Sequence, residues 1–293
     1  MRNFIEKNKK YIVSIATLFL FTANIIIWSE VFKKEHESDI QASIFNVGQG
    51  DSIFINSRDG AQILIDGGPN SKVLSMLKDR MPYYDNSIDV VIATHPHKDH
   101  ISGLIDVFKR YDVTTFIESG AKYNTSEYYE LEKLIQNSGA RRIMLGKPAR
   151  LLFYNNAQLK LLTPTASFDN TALKNVHDAD IVSELDFQGR RILLMGDAEK
   201  NLEKQLISSN LLTFVDVLKV GHHGSKTSSI AEFLSVINPK YSIISVGKNN
   251  YGHPNQNVLD RLTSIGSYIL RTDIVGTIDI NIKNGVLQVR AEK

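Results

Sequence analysis

With 293 residues, 42% hydrophobic and 23% charged, the chain carries enough apolar material for one large core or two modest ones. A net charge of +2 gives no global basic field of the kind that draws nucleic acid. The absence of cysteine excludes disulfides, thiolate metal sites and a cysteine nucleophile, so any metal must be held by histidine and carboxylate.

The N-terminus stands apart. A basic flank over residues 1–10, "MRNFIEKNKK", precedes eighteen uncharged residues, "YIVSIATLFLFTANIIIW", bounded by Tyr11 and Trp28. Such a helix rises about 27 Å, close to the thickness of a bilayer core, and amphipathic rings favour its two edges. The reading is a transmembrane anchor over 11–29, with the basic flank cytoplasmic and the large C-terminal part outside the cell. The rival is a cleaved signal segment and a secreted product, but no A-x-A-like cleavage site follows. Residues 30–39 form a linker, in which His36 is read as solvated.

From residue 40 the pattern is β-rich: "QASIFNV", "DSIFIN" and "AQILIDGG", broken by "GQG" and "RDG" turns. A helix is predicted at "SKVLSMLKDRM", a buried strand at "IDVVIAT", a helix at "SGLIDVFKRY", a strand at "VTTFIE" and an amphipathic helix at "SEYYELEKLIQNSG". The basic stretch "ARRIMLGKPAR" reads as a solvated face. Strands follow at "ARLLFY", "QLKLLTP", "IVSELDF" and "RRILLMGD", then helices and strands alternate from "EKNLEKQLISSN" to the closing strands "GTIDINI" and "VLQVRA". Strand-rich blocks alternating with helices, twice over, predict an α/β domain over 40–293 with two sheets covered by helices.

Three of the chain's eight histidines lie within "HPHKDH", His95 to His100, directly after the strand "IDVVIAT". An extended segment puts His95 and His97 on one side, and Pro96 stiffens that presentation. Asp99 and His100 fall where the chain turns into a helix, facing the same hollow from another direction. Two imidazoles from one arm and an Asp–His pair from the other can hold two cations, for which Zn, Mn and Fe all suit the donor set.

The signature His-x-His-x-Asp-His after a strand resembles that of the metallo-β-lactamase superfamily. "LIDGG", the Gly196-Asp197 ending of "RRILLMGD", "VLKVGHHGS" and "NNYGHP" follow in the expected order, so the resemblance covers roughly residues 40 to 290. It implies a four-layer αβ/βα sandwich. "NVGQGDS", "GHHGS" and "NNYGHP" are similar, more finely, to the hydrolase domain of the DNA-uptake protein ComEC and its stand-alone relatives. ComEC domains often carry Asp where this chain has His97.

The resemblance implies that His95 and His97 bind a first metal and Asp99 and His100 a second, with Asp197 between them. The third ligand of the first metal is normally a histidine, here His177, with Asp178 and Asp180 as weaker substitutes. The last ligand of the second metal is contested between His222 and His253. Adjacent histidines cannot both point one way from an extended chain, so His222 is assigned to metal. His223 and His253 are left for substrate or proton donation, with Asp99 orienting the attacking water. The expected activity is a ComEC-type phosphodiesterase or nuclease on DNA or a cell-surface phosphoester. Lactone, thioester or β-lactam hydrolysis and a non-catalytic metal-stabilised module are the alternatives.

Overall fold

The protein was analysed as a computed structural model that describes residues 2–34 and 38–293. His36 and part of the 30–39 linker lie outside the described residues. The N-terminal helix, Arg2–Lys34, contains an apolar span, Asn8–Trp28, with mean hydropathy 2.0 and no buried residue. It is long and apolar enough to cross a membrane.

Two sheets follow. The first has eight strands in the order Val286–Ala291, Ile278–Lys283, Ile40–Ile44, Ile53–Ser57, Gln62–Ile65, Ser87–Ile92, Asp112–Glu118 and Arg141–Met144. The second has seven, in the order Tyr268–Arg271, Tyr241–Ile244, Val217–Lys219, Arg190–Leu194, Ser183–Phe187, Ala157–Leu161 and Ala149–Phe153. Between them lies one apolar layer to which both contribute, including Ile40, Ile55 and Ile63 from the first and Leu159, Leu185 and Ile192 from the second. The outer face of the first sheet is covered by helices Lys72–Lys78, Lys98–Arg110 and Ser126–Ser138. Helices Lys200–Ser208, Ala231–Ile237 and Gln256–Ser264 cover the second. This is the four-layer αβ/βα sandwich expected from the motifs.

Local chemistry explains the elements. In Lys98–Arg110, Ile101, Leu104, Ile105 and Phe108 repeat at helical spacing and are buried on one face, while Asp99 opens the first turn and Lys109 and Arg110 close the last. Ser126–Ser138 is capped by Thr125, whose hydroxyl accepts the Tyr128 N–H, and stops at Gly139 with φ +76°. The strands beneath are apolar runs because helices cover one face and the other sheet the second. The helix after His97 starts at Lys98, four residues earlier than the apolar period suggested.

The basic stretch near residue 142 is largely the solvated face expected, with Arg141, Lys147 and Arg150 exposed, while Arg142 departs from it. Arg141–Met144 is the edge strand of the first sheet, and Arg142 is half-buried between Glu118 and Glu132. Burial, more than the neighbouring charges, pushes the Glu118 carboxyl up to about 7.

Parallel pairing makes the C-terminal ends of Gln62–Ile65, Ser87–Ile92, Arg190–Leu194, Val217–Lys219 and Tyr241–Ile244 lie at one end of the sandwich. The chemistry gathers there, as it does in open α/β sheets generally.

On the far side of the second sheet, Glu203 is buried and accepts the backbone N–H groups of Ser229 and Ile230, pinning the segment that starts Ala231–Ile237. Burial pushes its carboxyl up to about 7. A folded-state pKa above the unfolded one means that stability is fully present below about pH 4.5 and is lost as pH rises through 7. Glu203→Gln is therefore expected to flatten the fall in unfolding free energy between pH 5 and 7 by up to about 3 kcal/mol. Urea titrations at stepped pH check this; an unchanged slope contradicts it.

Candidate metal centre

His95 sits at the mouth of the strand Ser87–Ile92, and His100 in the first turn of Lys98–Arg110. What seats that helix is the glycine pair Gly67 and Gly103. A Cβ on either would overlap backbone of the other segment, and only this close approach lets Gly67 N–H donate to His100 O (2.7 Å) and Gly103 N–H to Gly68 O (2.9 Å). The "DGG" stretch is thus a close-packing device.

Its aspartate does more. Asp66 Oδ1 accepts the Thr94 N–H (2.8 Å), and Oδ2 accepts the Thr94 hydroxyl (2.7 Å) and the His100 Nδ1–H (2.7 Å). With Nδ1 as donor, the His100 Nε2 keeps its lone pair. The same arrangement recurs. His223 Nδ1 donates to Ser245 O (2.9 Å), and His95 Nδ1 faces Asp180 Oδ2 (3.4 Å) and Thr94 Oγ1 (3.2 Å).

Three buried imidazoles therefore turn Nε2 toward one carboxylate. Asp197 Oδ1 lies 3.3 Å from His100 Nε2 and 3.5 Å from His223 Nε2, and its Oδ2 lies 3.8 Å from His95 Nε2. Asp197 is oriented by its own N–H, which donates to Asp180 Oδ2 (2.7 Å). Gly196 precedes it with φ +52°, where a Cβ would collide with the Asp180 carboxylate.

The donor atoms fall into two groups that share Asp197. His95, His97, His177 and Asp197 form one; Asp99, His100, Asp197 and His223 form the other; within each, one donor atom per residue lies within 4.8 Å of the rest. His95 Nε2, His100 Nε2, His223 Nε2, His177 Nδ1 and Asp197 Oδ1 are buried without a hydrogen-bond partner. Orphaned buried polar atoms are costly, and here they converge as lone pairs with a carboxylate, which is the donor set a pair of divalent cations takes. The residues fit the group.

The electrostatics agree. Burial, then the charge of His100, holds His95 far below the ordinary imidazole range, and burial brings His177 down to about 4. Both rings are neutral donors at neutral pH. Burial works against charge on His100, but Asp197 and Asp66 outweigh it and raise its pKa well above the usual value. Burial would raise Asp99, yet the His223 ring, whose Nε2 lies 3.3 Å from Asp99 Oδ2, and His100 hold it at about 2. A raised pKa on a buried imidazole among carboxylates marks a place that favours positive charge.

His222 and His223 differ from the expectation. The segment "GHHG" is not extended: it forms a single turn in which both residues are left-handed, with φ +47° and +52°. Bulky residues rarely adopt that conformation, and it persists where surrounding bonds impose it. Here the Ser228 hydroxyl donates to Gly221 O (2.8 Å) and His222 N–H to Gly196 O (3.1 Å). The curl lets both imidazoles reach Asp197, but it is His223 that joins Asp99 and His100. His222, less buried, approaches Asp197 Oδ2 at 3.7 Å, turns Nδ1 to Glu199 Oε1 (3.2 Å) and forms a further donor group with His177 and Glu199 rather than with Asp99 and His100. Assigning His222 to the second cation assumed an extended chain, and the turn removes that premise.

His253 lies on the loop beside this pair, its ring 5.4 Å from His222, with its buried Nδ1 unpartnered. Its backbone is held by the Asn249 side chain, which accepts the His253 N–H and donates to its carbonyl. Asp178 is exposed and outside both groups, whereas Asp180 is a buried support for His95 and Asp197.

Sequence reasoning gave no role to Glu199 and Lys219, took Asp66 only as part of a turn, and weighed Asp51 evenly between an approach to the metals and a turn. Lys219 is fully buried and pairs with Asp51, whose second oxygen lies 3.6 Å from His223 Nδ1. The signal was present as a lysine inside an otherwise apolar strand, "VDVLKVG".

The sequence profile of the metallo-beta-lactamase superfamily matches residues 45–248, and the chain belongs to that superfamily. It is a hydrolase-type member with a His/Asp group suited to metal ions. It is 30% identical to ComE operon protein 3 of Bacillus subtilis, over 92% of this chain and 39% of that protein. It is 25% identical to Competence protein ComA of Neisseria gonorrhoeae, over 85% of this chain and 33% of that one. The chain thus spans well under half the length of either relative. Among solved structures it shares the fold of CmlA, a diiron β-hydroxylase from Streptomyces venezuelae (TM-score 0.54, 12% identity, 84% of this chain and 54% of that one). It also shares that of the metallo-beta-lactamase fold protein YhfI from Bacillus subtilis (TM-score 0.52, 12% identity, 86% and 100%).

Proposed function

We propose that residues 40–293 form a dinuclear metal-dependent phosphodiesterase, carried outside the cell on the helix at 11–29. The observation that carries this reading is the convergence of two donor groups on the shared carboxylate of Asp197. His95, His97 and His177 would hold one cation and Asp99, His100 and His223 the other, with Zn or Mn favoured and Fe allowed by the donor set. Such a pair supplies Lewis acidity and brings the pKa of water toward neutrality. The chain's own residues do the rest. Asp99, partly exposed at the pocket mouth, orients the attacking water. His222, backed by Glu199, and His253 face the substrate side and supply the proton that the leaving oxygen needs. No cysteine or serine nucleophile is required.

The competence names of the relatives favour a phosphodiester, either DNA or a cell-surface phosphoester, over lactone, thioester or β-lactam substrates. The basic flank at 1–10 supports the outward orientation. The test is metal analysis of the full chain in detergent after reconstitution, with bis-p-nitrophenyl phosphate and nitrocefin as paired substrates. Two transition-metal ions per chain and turnover of the phosphodiester alone are expected. Fewer than one ion per chain removes the basis of the mechanism, and turnover of nitrocefin alone moves the substrate to the carboxylic class.

The reassignment of the adjacent histidines has its own test. His223→Ala is expected to lose one of two cations and at least about a hundredfold in turnover, near 2.7 kcal/mol of barrier. His222→Ala should keep both cations and lower kcat with little change in KM. The reverse pattern of metal loss would restore the original assignment.

A further inference from the structure

The strands that carry the metal centre all run toward it, so their N-terminal ends lie at the opposite end of the sandwich. The chain from the N-terminal helix joins the fold at that opposite end. Ile40–Ile44 is antiparallel to Ile53–Ser57, which is antiparallel to Gln62–Ile65, so Ile40–Ile44 also runs toward the pocket. Asp39, just before it, is locked into this end: Arg58 N–H donates to its carbonyl (2.9 Å) and Asn284 N–H to its carboxylate (2.9 Å). The Asn284–Gly285 turn is tied to the second sheet by Arg190, whose Nε donates to Gly285 O (2.7 Å). One end of the whole sandwich is thereby defined.

That end carries a set of exposed aromatic and apolar side chains. Tyr83 and Tyr84 precede Ser87–Ile92, Leu211 and Phe214 precede Val217–Lys219, and Tyr268 opens Tyr268–Arg271. All five are between 45% and 86% exposed. Exposed charges here are of both signs, with Arg58, Lys109, Arg110, Lys240 and Lys283 set against Asp59, Asp89 and Asp112. Aromatic rings with a polar tip beside apolar side chains are the composition of a lipid interface.

The tether decides what covers this end. Eleven residues separate Trp28, the end of the apolar span, from Ile40, and the helix continues through Lys34. Six helical and six extended steps reach under about 30 Å. A domain of this length is roughly 45 Å across. The tether is too short to let the domain turn over, but long enough to seat the end where it attaches.

We propose that the end of the sandwich bearing Tyr83, Tyr84, Leu211, Phe214 and Tyr268 rests in the headgroup region of the bilayer that holds the N-terminal helix, so that the metal centre opens away from the membrane. This rests on the anchor reading above. The substrate is then taken from the aqueous or cell-wall side, and lipid headgroups in the same leaflet are out of reach.

The chain lacks cysteine, so single cysteines report cleanly. Tyr83→Cys, Phe214→Cys and, near the pocket, Lys226→Cys are each labelled with nitrobenzoxadiazole in the full chain. Each is reconstituted at one chain per phosphatidylcholine nanodisc, and the rate of reduction by dithionite is read. Labels at 83 and 214 should be reduced several-fold more slowly than the label at 226, with turnover of bis-p-nitrophenyl phosphate retained. Equal rates in chains that stay with the disc, or protection at 226 instead, overturn the docking while leaving the anchor intact. A chain that separates from discs on gel filtration overturns the anchor and the inference together.

Discussion

Asp197→Asn is expected to abolish the metal centre rather than weaken it. One carboxylate lies within 3.3–3.8 Å of Nε2 atoms on His95, His100, His222 and His223, and it is 1% exposed. An amide of the same shape keeps the packing but brings no negative charge, and it can bridge two cations only weakly. We expect transition-metal content to fall from two ions per chain to one or fewer. Turnover should fall at least about a thousandfold, some 4 kcal/mol of transition-state stabilisation. Elemental analysis and a phosphodiester assay on the same preparation check it. Two retained ions with turnover within about tenfold of the parent would show that the carboxylate does not bridge.

The second large effect lies one layer behind. Lys219 is wholly buried, donating to Asp51 and to Gly196 O (2.9 Å), and Asp51 in turn faces His223. Burial alone would lower the Lys219 pKa, but Asp51 and Asp197 outweigh it, so the ammonium stays charged. Removing one partner leaves an uncompensated charge in the core. Lys219→Met and Asp51→Asn are each expected to cost about 3–5 kcal/mol of unfolding free energy. The double variant should cost clearly less than the two singles added together. Urea unfolding of all four chains gives the coupling energy; strict additivity would show that the pair does not interact. Because this pair joins the "GQGD" turn to the strand that carries "GHHG", loss of Lys219 should also loosen the cation beside His223.

Much of this was legible in the chain's local pattern. The apolar span at the N-terminus, the run "IDVVIA" and the helices after it follow from hydrophobic period and capping residues, which act over a few positions. The His95–His100 motif is legible for the same reason: strand, proline and helix start fix its geometry within six residues. Asp197 was accessible only through the resemblance, in which a Gly-Asp pair ending a strand corresponds to the family's shared carboxylate.

What the sequence could not determine depends on contacts between distant segments or on backbone turns with no local periodicity. Asp66 reaches His100 across 34 positions, and Asp51 reaches Lys219 across 168. The closing strand Ile278–Lys283 pairs with the opening strand Ile40–Ile44, and no local rule foretells that partner. The proposed exchange of His222 for His223 has the clearest physical basis. In extended chain, neighbouring side chains diverge, but two successive left-handed residues bring them to one side, and only bonds from Ser228 and Gly196 make that turn. Sequence alone supplied the candidate histidines and carboxylates and the apolar N-terminal helix. The tertiary structure decided which imidazole faces which partner and which end of the sandwich lies nearest that helix, because both follow from the order in which strands pair.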